Sequence, residues 1–249
     1  MADPVLELEG ITRSFGALVA SDKVSIDLRP GEIHALIGPN GAGKTTLIKQ
    51  IAGEILPDAG AIRFNGADIT KEPPARRAML GLARTFQISA LAPEFSALAN
   101  VMVAVSPRAG GVFHFFRSAL RDSALTGPAM AALARAGLES RADVPVSGLS
   151  HGERRQLEIA IALAMRPKVF LMDEPMAGMG PDGSQRLTRL LADLKTEAPI
   201  LLVEHDMDAV FALADRISVM VYGKVVATGT GNEIRANALV REAYLGEEA

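Results

Sequence analysis

The stretch Gly38-Pro39-Asn40-Gly41-Ala42-Gly43-Lys44-Thr45 restricts this chain more than any other eight residues in it. Its spacing is G-x-x-x-x-G-K-[ST]. An apolar strand candidate, Glu32–Ile37, leads into it, and Thr45–Ile51 follows with helical character. Strand, glycine-rich loop and helix, in that order, make a cradle for phosphate. Glycines let backbone N–H groups converge on phosphate oxygens with no Cβ in the way, and the helix N-terminus adds partial positive charge. In such a loop Lys44 reaches the β- and γ-phosphates of a nucleotide, Thr45 ligates Mg2+ and Thr46 donates to the α-phosphate. At ordinary residue frequencies the four fixed positions coincide in a chain of this length about once in a hundred.

Val169-Phe170-Leu171-Met172-Asp173-Glu174 is a second signal: four apolar residues, then two acids. A buried strand ending in carboxylates at the C-terminal edge of a sheet suits a nucleotide site. Asp173 then holds Mg2+ through its water shell, and Glu174 polarises the attacking water as general base. Alone, an Asp-Glu pair more often marks a solvated turn. Beside a phosphate loop the catalytic assignment is the stronger one.

The apolar runs Val169–Met172, Ile200–Glu204 and Ile217–Val221 alternate with helical patterns, which indicates a parallel sheet covered on both faces. Val5–Glu9 and Val24–Leu28 alternate polar and apolar residues, so short antiparallel strands are expected near the N-terminus. From about Ile88 to Gly148 the chain is Ala-rich and helical, with breaks expected at Gly110-Gly111 and Gly127-Pro128. The class is α/β, one domain over residues 1–249 with a helical insertion at about 88–150. Of its 249 residues 49% are hydrophobic, yet the longest stretch free of charged residues, Phe95–Pro107, has 13. A spanning helix needs about 20, so no membrane span is expected, and no signal peptide is visible at Met1–Glu9. A net charge of −3 and 4% aromatics argue against nucleic acid as a partner. With no Cys and 4 dispersed His, thiolate zinc and Fe–S sites are excluded, and His34 and His114 are expected to be structural.

Five further elements, in this order along the chain, resemble the ATP-binding subunit of ABC transporters. Phe15, in Ser14-Phe15-Gly16, matches the aromatic that stacks on adenine. Gln87, in Arg84-Thr85-Phe86-Gln87, lies 43 residues beyond Lys44 and looks like the glutamine that contacts Mg2+ or water and links the site to the helical subdomain. Leu149-Ser150-His151-Gly152-Glu153 resembles the signature usually written Leu-Ser-Gly-Gly-Gln. Ala177–Asp182 occupies the position of the loop that couples the two ATP sites, and His205, in Val203-Glu204-His205-Asp206, looks like the switch histidine for the γ-phosphate. Independently of the resemblance, Ser150 followed by Glu153 is a capping box, so Ser150 is expected at a helix N-terminus where N–H groups can meet a phosphate. The resemblance covers essentially the whole chain. It implies a RecA-like P-loop ATPase core with a parallel sheet, an N-terminal antiparallel β subdomain and the helical insertion. It also implies hydrolysis of ATP with Mg2+ in a head-to-tail dimer, identical or not, in which Ser150, Gly152 and Glu153 of one subunit close over ATP held by the other.

Departures narrow the branch. His151 and Glu153 stand where Gly and Gln are usual, variants familiar from importers of branched-chain amino acids and related urea systems. The 63 positions from Gln87 to Ser150, Met176–Pro181 and the ending Val240–Gly246 resemble the same importers. Lipopolysaccharide-export ATPases are similar overall, with a shorter insertion. Gly180 stands where the coupling loop usually carries Asp. The resemblance implies integral-membrane permease subunits as partners, a solute-binding protein acting through them, and a cytoplasmic subunit peripheral on the inner face of the membrane. A soluble ABC ATPase of translation or repair is the competing class, but such proteins carry two cassettes or a long coiled coil; a regulator without hydrolysis is opposed by Glu174 and His205.

Overall fold

A computed structural model of the chain describes residues 3–84, 91–106 and 122–241. In chain order its elements are β1 (Leu6–Phe15), β2 (Leu18–Leu28), β3 (Ile33–Ile37), α1 (Lys44–Ala52), β4 (Ala59–Phe64), β5 (Ala67–Asp68), α2 (Pro74–Leu80), β6 (Leu82–Arg84), α3 (Ala97–Val105), α4 (Ser123–Arg135), α5 (His151–Ala164), β7 (Val169–Asp173), α6 (Pro181–Leu194), β8 (Ile200–Val203), α7 (Met207–Leu213), β9 (Arg216–Val221), β10 (Lys224–Gly229), α8 (Gly231–Ala236) and α9 (Ala238–Val240). They divide into two compact units, one of Met1–Arg84, Lys168–Glu174 and Leu191–Ala249, the other of Thr85–Pro167 and Pro175–Leu190.

The first unit holds two sheets. One is antiparallel, in the order β2-β1-β4-β5; the other runs β10-β9-β3-β8-β7-β6 and is parallel except where β10 pairs antiparallel with β9. All five residues of β3 and of β7 are buried, as both-face coverage requires. Leu36 of β3 joins one apolar cluster with Leu47, Ile48 and Ile51 of α1 and the inner faces of β1 and β2. Ala35 and Ile37 point to the other, shared with Val210 of α7 and Ile234 of α8. Helix α1 has nine residues, too few to persist alone in water. Its buried Leu47, Ile48 and Ile51 hold it, each worth about 1.5–3 kcal/mol on burial.

The N-terminal strands are longer than the alternating segments Val5–Glu9 and Val24–Leu28. The β1–β2 register shifts between Leu8 and Ile11, Ile11 and Arg13, and Arg13 and Ser14, with Gly10 at φ 61°. Each bulge flips the in-out alternation, so the period-2 signal stops while the strand continues.

In the second unit α3, α4 and α5 pack on one another, with Val101, Val105, Ala129, Leu133, Leu157 and Ala160 buried. The break expected at Gly127-Pro128 is absent: α4 runs through both residues. Proline's fixed φ is helical and removes one backbone hydrogen bond, and the buried face Ala129, Ala132 and Leu133 keeps the helix in place. Gly110-Gly111 and His114 lie outside the described residues. No helix among the described residues is long and apolar enough to cross a membrane.

Candidate nucleotide-binding site

The phosphate loop leaves the C-terminal end of β3 and enters α1. Two of its glycines are obligatory. Gly38 has φ 148°, and a Cβ there would lie 2.0 Å from the Met220 carbonyl oxygen; at Gly43, φ 104°, a Cβ would lie 2.0 Å from that of Ala20. The loop is also tied by the Gly223 N–H donating to the Ala42 carbonyl at 2.9 Å. No side chain caps α1, whose N-cap is Gly43. The first N–H groups of the helix are therefore left for a ligand at a point of partial positive charge. Lys44 is buried, its Nζ donating to the carbonyls of Gly38 at 2.6 Å and Pro39 at 3.0 Å. Burial lowers the ammonium's pKa, and Glu174 and Asp173 act against that shift.

Strands β7, β8 and β3 are neighbours and parallel, so their C-terminal ends share one edge of the sheet. The phosphate loop follows β3, Asp173 ends β7, Glu174 follows it, and His205 lies just past β8. Asp173 is 1% exposed, and among the described residues neither carboxylate oxygen has a hydrogen-bond partner. Its nearest cation is Arg84, Nη2 to Oδ2 3.6 Å, and Arg84 also pairs with Glu54. Desolvation raises the Asp173 pKa against the pull of Arg84. A buried carboxylate with unused lone pairs beside a phosphate cradle fits a hard divalent cation. Glu174 takes a left-handed backbone, φ 51°, with its N–H on the Val203 carbonyl at 2.8 Å. That conformation costs a non-glycine residue about 1 kcal/mol or more and is found preferentially at functional sites. It places Glu174 Oε1 2.8 Å from His205 Nε2.

A cleft of about 250 Å³ is lined by the loop from Asn40 to Thr46 together with Phe15, Leu18, Ala20, Glu174 and His205. Phe15 is 44% exposed, so it is a cleft residue and not a core aromatic. Leu18, Ala20 and Arg84 carried no signal in the sequence: two are small or apolar residues in a strand, and Arg84 meets Asp173 only through the pairing of β6 with β7. His34, by contrast, is fully buried and hydrogen-bonded to the Asp27 carbonyl and to Ser218, as a structural histidine should be.

In the second unit Ser150 caps α5. Its Oγ accepts from the Glu153 N–H at 3.3 Å, and the Ser150 N–H donates to Glu153 Oε2 at 2.8 Å, completing the capping box. Glu153 Oε1 is 2.8 Å from Arg141, so both carboxylate oxygens are in use. The hydrogen bond from the Ser150 N–H lowers the Glu153 pKa, with Arg141 adding to the effect. Gly152 faces open space. The His151 ring lies against Gly178, φ 74°, where a Cβ would be 2.4 Å from His151 Cδ2. Gln87 lies outside the described residues.

Fold and site together define a P-loop nucleotide-binding protein. A family model for ABC transporters matches residues 21–177, and one for branched-chain amino acid ATP-binding cassette transporters matches residues 224–249. The chain belongs to the ABC transporter family, among its ATP-binding cassettes. It is 38% identical over 256 residues to the high-affinity branched-chain amino acid transport ATP-binding protein LivG of Escherichia coli strain K12, covering 99% of this chain and 100% of that protein. The corresponding protein BraF of Pseudomonas aeruginosa is 37% identical over 254 residues, with 99% and 100% covered. Among crystal structures, a nucleotide-free ATP-binding cassette from an ABC transporter superposes with TM-score 0.86 at 30% identity, covering 97% of this chain and 99% of that one. The ADP conformation of the cassette MJ1267 gives TM-score 0.85 at 30% identity, covering 98% and 100%. The expected ABC-type α/β fold is thus borne out.

Proposed function

We propose that this chain binds MgATP in the cleft and hydrolyses it to drive uptake of branched-chain amino acids or a related small polar solute through a membrane permease. The observation that carries the chemistry is the Glu174–His205 contact of 2.8 Å at the mouth of the phosphate loop. Glu174 accepts a proton from the attacking water as the water oxygen bonds to the γ-phosphorus. The bond from that phosphorus to the β–γ bridging oxygen breaks, leaving ADP and phosphate. Lys44 exchanges its loop carbonyls for β- and γ-phosphate oxygens, and His205 donates to the γ-phosphate, where charge is greatest. Thr45, Asp173 and Gln87 would hold Mg2+, which when bound would neutralise phosphate charge. Phe15 stacks on adenine, Thr46 donates to the α-phosphate, and the loop N–H groups between Gly38 and Gly43 envelop the β-phosphate.

Ser150 and Gly152 of a second copy, identical or closely related, complete the site. The Ser150 Oγ accepts within its own cap and keeps its hydrogen for a phosphate oxygen. Glu153 serves by holding that cap. Loss of γ-phosphate releases the pair of subunits, and the second unit passes the motion to the permease. A solute-binding protein delivers the cargo on the far side, and this subunit sits at the cytoplasmic face through its partners. The names of the relatives support the solute class. Glu174→Gln is expected to keep ATP binding and lose turnover by at least a hundredfold, as general-base catalysis implies. Unchanged hydrolysis would overturn the base assignment, and failure to co-purify with a permease would overturn the transport role.

A further inference from the structure

Phe15 poses a physical question: the residue is 44% exposed, so it is not a core aromatic. Its support comes from Arg13, whose guanidinium carbon stands 4.8 Å from the ring centroid, within cation–π range. Arg13 is itself held, with Nη1 donating to Asp58 Oδ1 at 2.6 Å and to the Leu56 carbonyl at 3.3 Å. The other carboxylate oxygen of Asp58 accepts the backbone N–H of Ser14, the residue before Phe15, at 2.8 Å. The Asp58 N–H donates to the Thr12 carbonyl at 2.7 Å. One aspartate at the entry to β4 therefore grips both the side chain behind the ring and the backbone beside it. Phe15 lines the cleft and Arg13 does not.

We infer that Arg13 and Asp58 are positioning residues for the nucleotide base: they brace Phe15 so that its ring is the ready-made stacking wall for adenine. This rests on the proposed stacking role of Phe15. An exposed ion pair of this kind contributes little to stability. Its consequence lies in where the ring stands before ligand arrives. A ring already in place loses no rotamer freedom when the base docks, so the brace appears as affinity for ligands that have a base and not for those that lack one.

The test uses the full chain carrying Glu174→Gln, to suppress turnover, and titration calorimetry with two magnesium-loaded probes: ATP, and inorganic tripolyphosphate, which has no base. Phe15→Ala should weaken ATP about tenfold, the order of one stacking contact, and leave tripolyphosphate unchanged. Arg13→Gln and Asp58→Asn should each weaken ATP about two- to fivefold, the scale of an exposed cation–π contact, again without effect on tripolyphosphate. Arg13→Lys should retain most of the affinity. Arg13→Gln added to Phe15→Ala should weaken ATP no further, since without the ring the brace has nothing to position. If Phe15→Ala weakens both probes alike or neither, the stacking role itself fails. If Phe15→Ala is selective for ATP but Arg13→Gln and Asp58→Asn are silent, or act on both probes equally, the brace is refuted while stacking stands.

Discussion

Acid should destabilise this protein through His34, and the hydrogen bonds around that residue set the size of the effect. His34 Nδ1 is 2.8 Å from the Asp27 carbonyl oxygen, which only accepts, so Nδ1 carries the proton. Nε2 is then an acceptor, 2.8 Å from Ser218 Oγ, whose single hydrogen is committed to it. Ser218 Oγ must in turn accept from Thr228 Oγ1 at 2.7 Å. The chain of donors runs one way, from β10 through β9 into β3, and a second proton on the ring would have to reverse the Ser218 and Thr228 hydroxyls. Desolvation, with the positive Arg216 and Arg29 nearby, lowers the His34 pKa from 6.5 to about 4, against the raising influence of Asp27. In that window the unfolded chain binds the proton and the folded one does not, so stability falls as pH drops from 6.5 toward 4. At 1.36 kcal/mol per unit, the loss attributable to His34 is about 3 kcal/mol. Urea denaturation of the wild type and of His34→Gln, from neutrality down to about pH 4.5, isolates it, because carboxylates titrate in both. His34→Gln is expected to be less stable near neutrality, with a shallower decline, so the two curves converge in acid. Parallel curves would refute the buried neutral histidine as the cause.

Gly43→Ala must push a Cβ to 2.0 Å from the Ala20 carbonyl at φ 104°, so calorimetry should show nucleotide affinity lowered at least tenfold; wild-type affinity would contradict the loop geometry. Arg77 is buried and donates to the carbonyls of Gln50, Ile51, Thr70 and Glu72, tying down the C-terminal end of α1. Arg77→Met should cost about 3 kcal/mol or more in denaturant unfolding, because buried acceptors lose a charged donor; a loss under 1 kcal/mol, the level of an ordinary surface change, would disprove that. Gly178→Ala combines φ 74° with an approach of 2.4 Å to the His151 ring, so it should lower thermal stability, and adding His151→Ala should recover part of the loss. An identical Gly178→Ala effect with and without His151 would remove the contact from the account.

Where a few adjacent residues carry the physics, the chain could be read directly. Glycine at positions 38 and 43, the Ser150–Glu153 cap and the apolar run ending in Asp173-Glu174 are local statements, and the structure shows each loop, cap and strand end where spacing puts it. Signals that a local irregularity scrambles were harder. Bulges interrupted the alternation of β1 and β2, and Gly127-Pro128 carries breaker chemistry that the buried face of α4 overrides. Gln87 stays an inference from spacing and resemblance, outside the described residues.

Residue types and intervals thus determined, by themselves, a phosphate loop, a carboxylate strand end and an α/β chain. Strand order decided the rest. With β3 beside β8 and β8 beside β7, all parallel, the loop, His205 and Glu174 emerge along one edge, and residues 31 positions apart come within 2.8 Å. The pairing of β6 with β7 sets Arg84 next to Asp173, which is buried with no hydrogen-bond partner among the described residues, while the β4 entry delivers Asp58 to Arg13, 45 positions away. Hydrogen-bond capacity and charge are properties of single residues, but their neighbours, and hence their desolvation and their work, exist only once the sheets have closed.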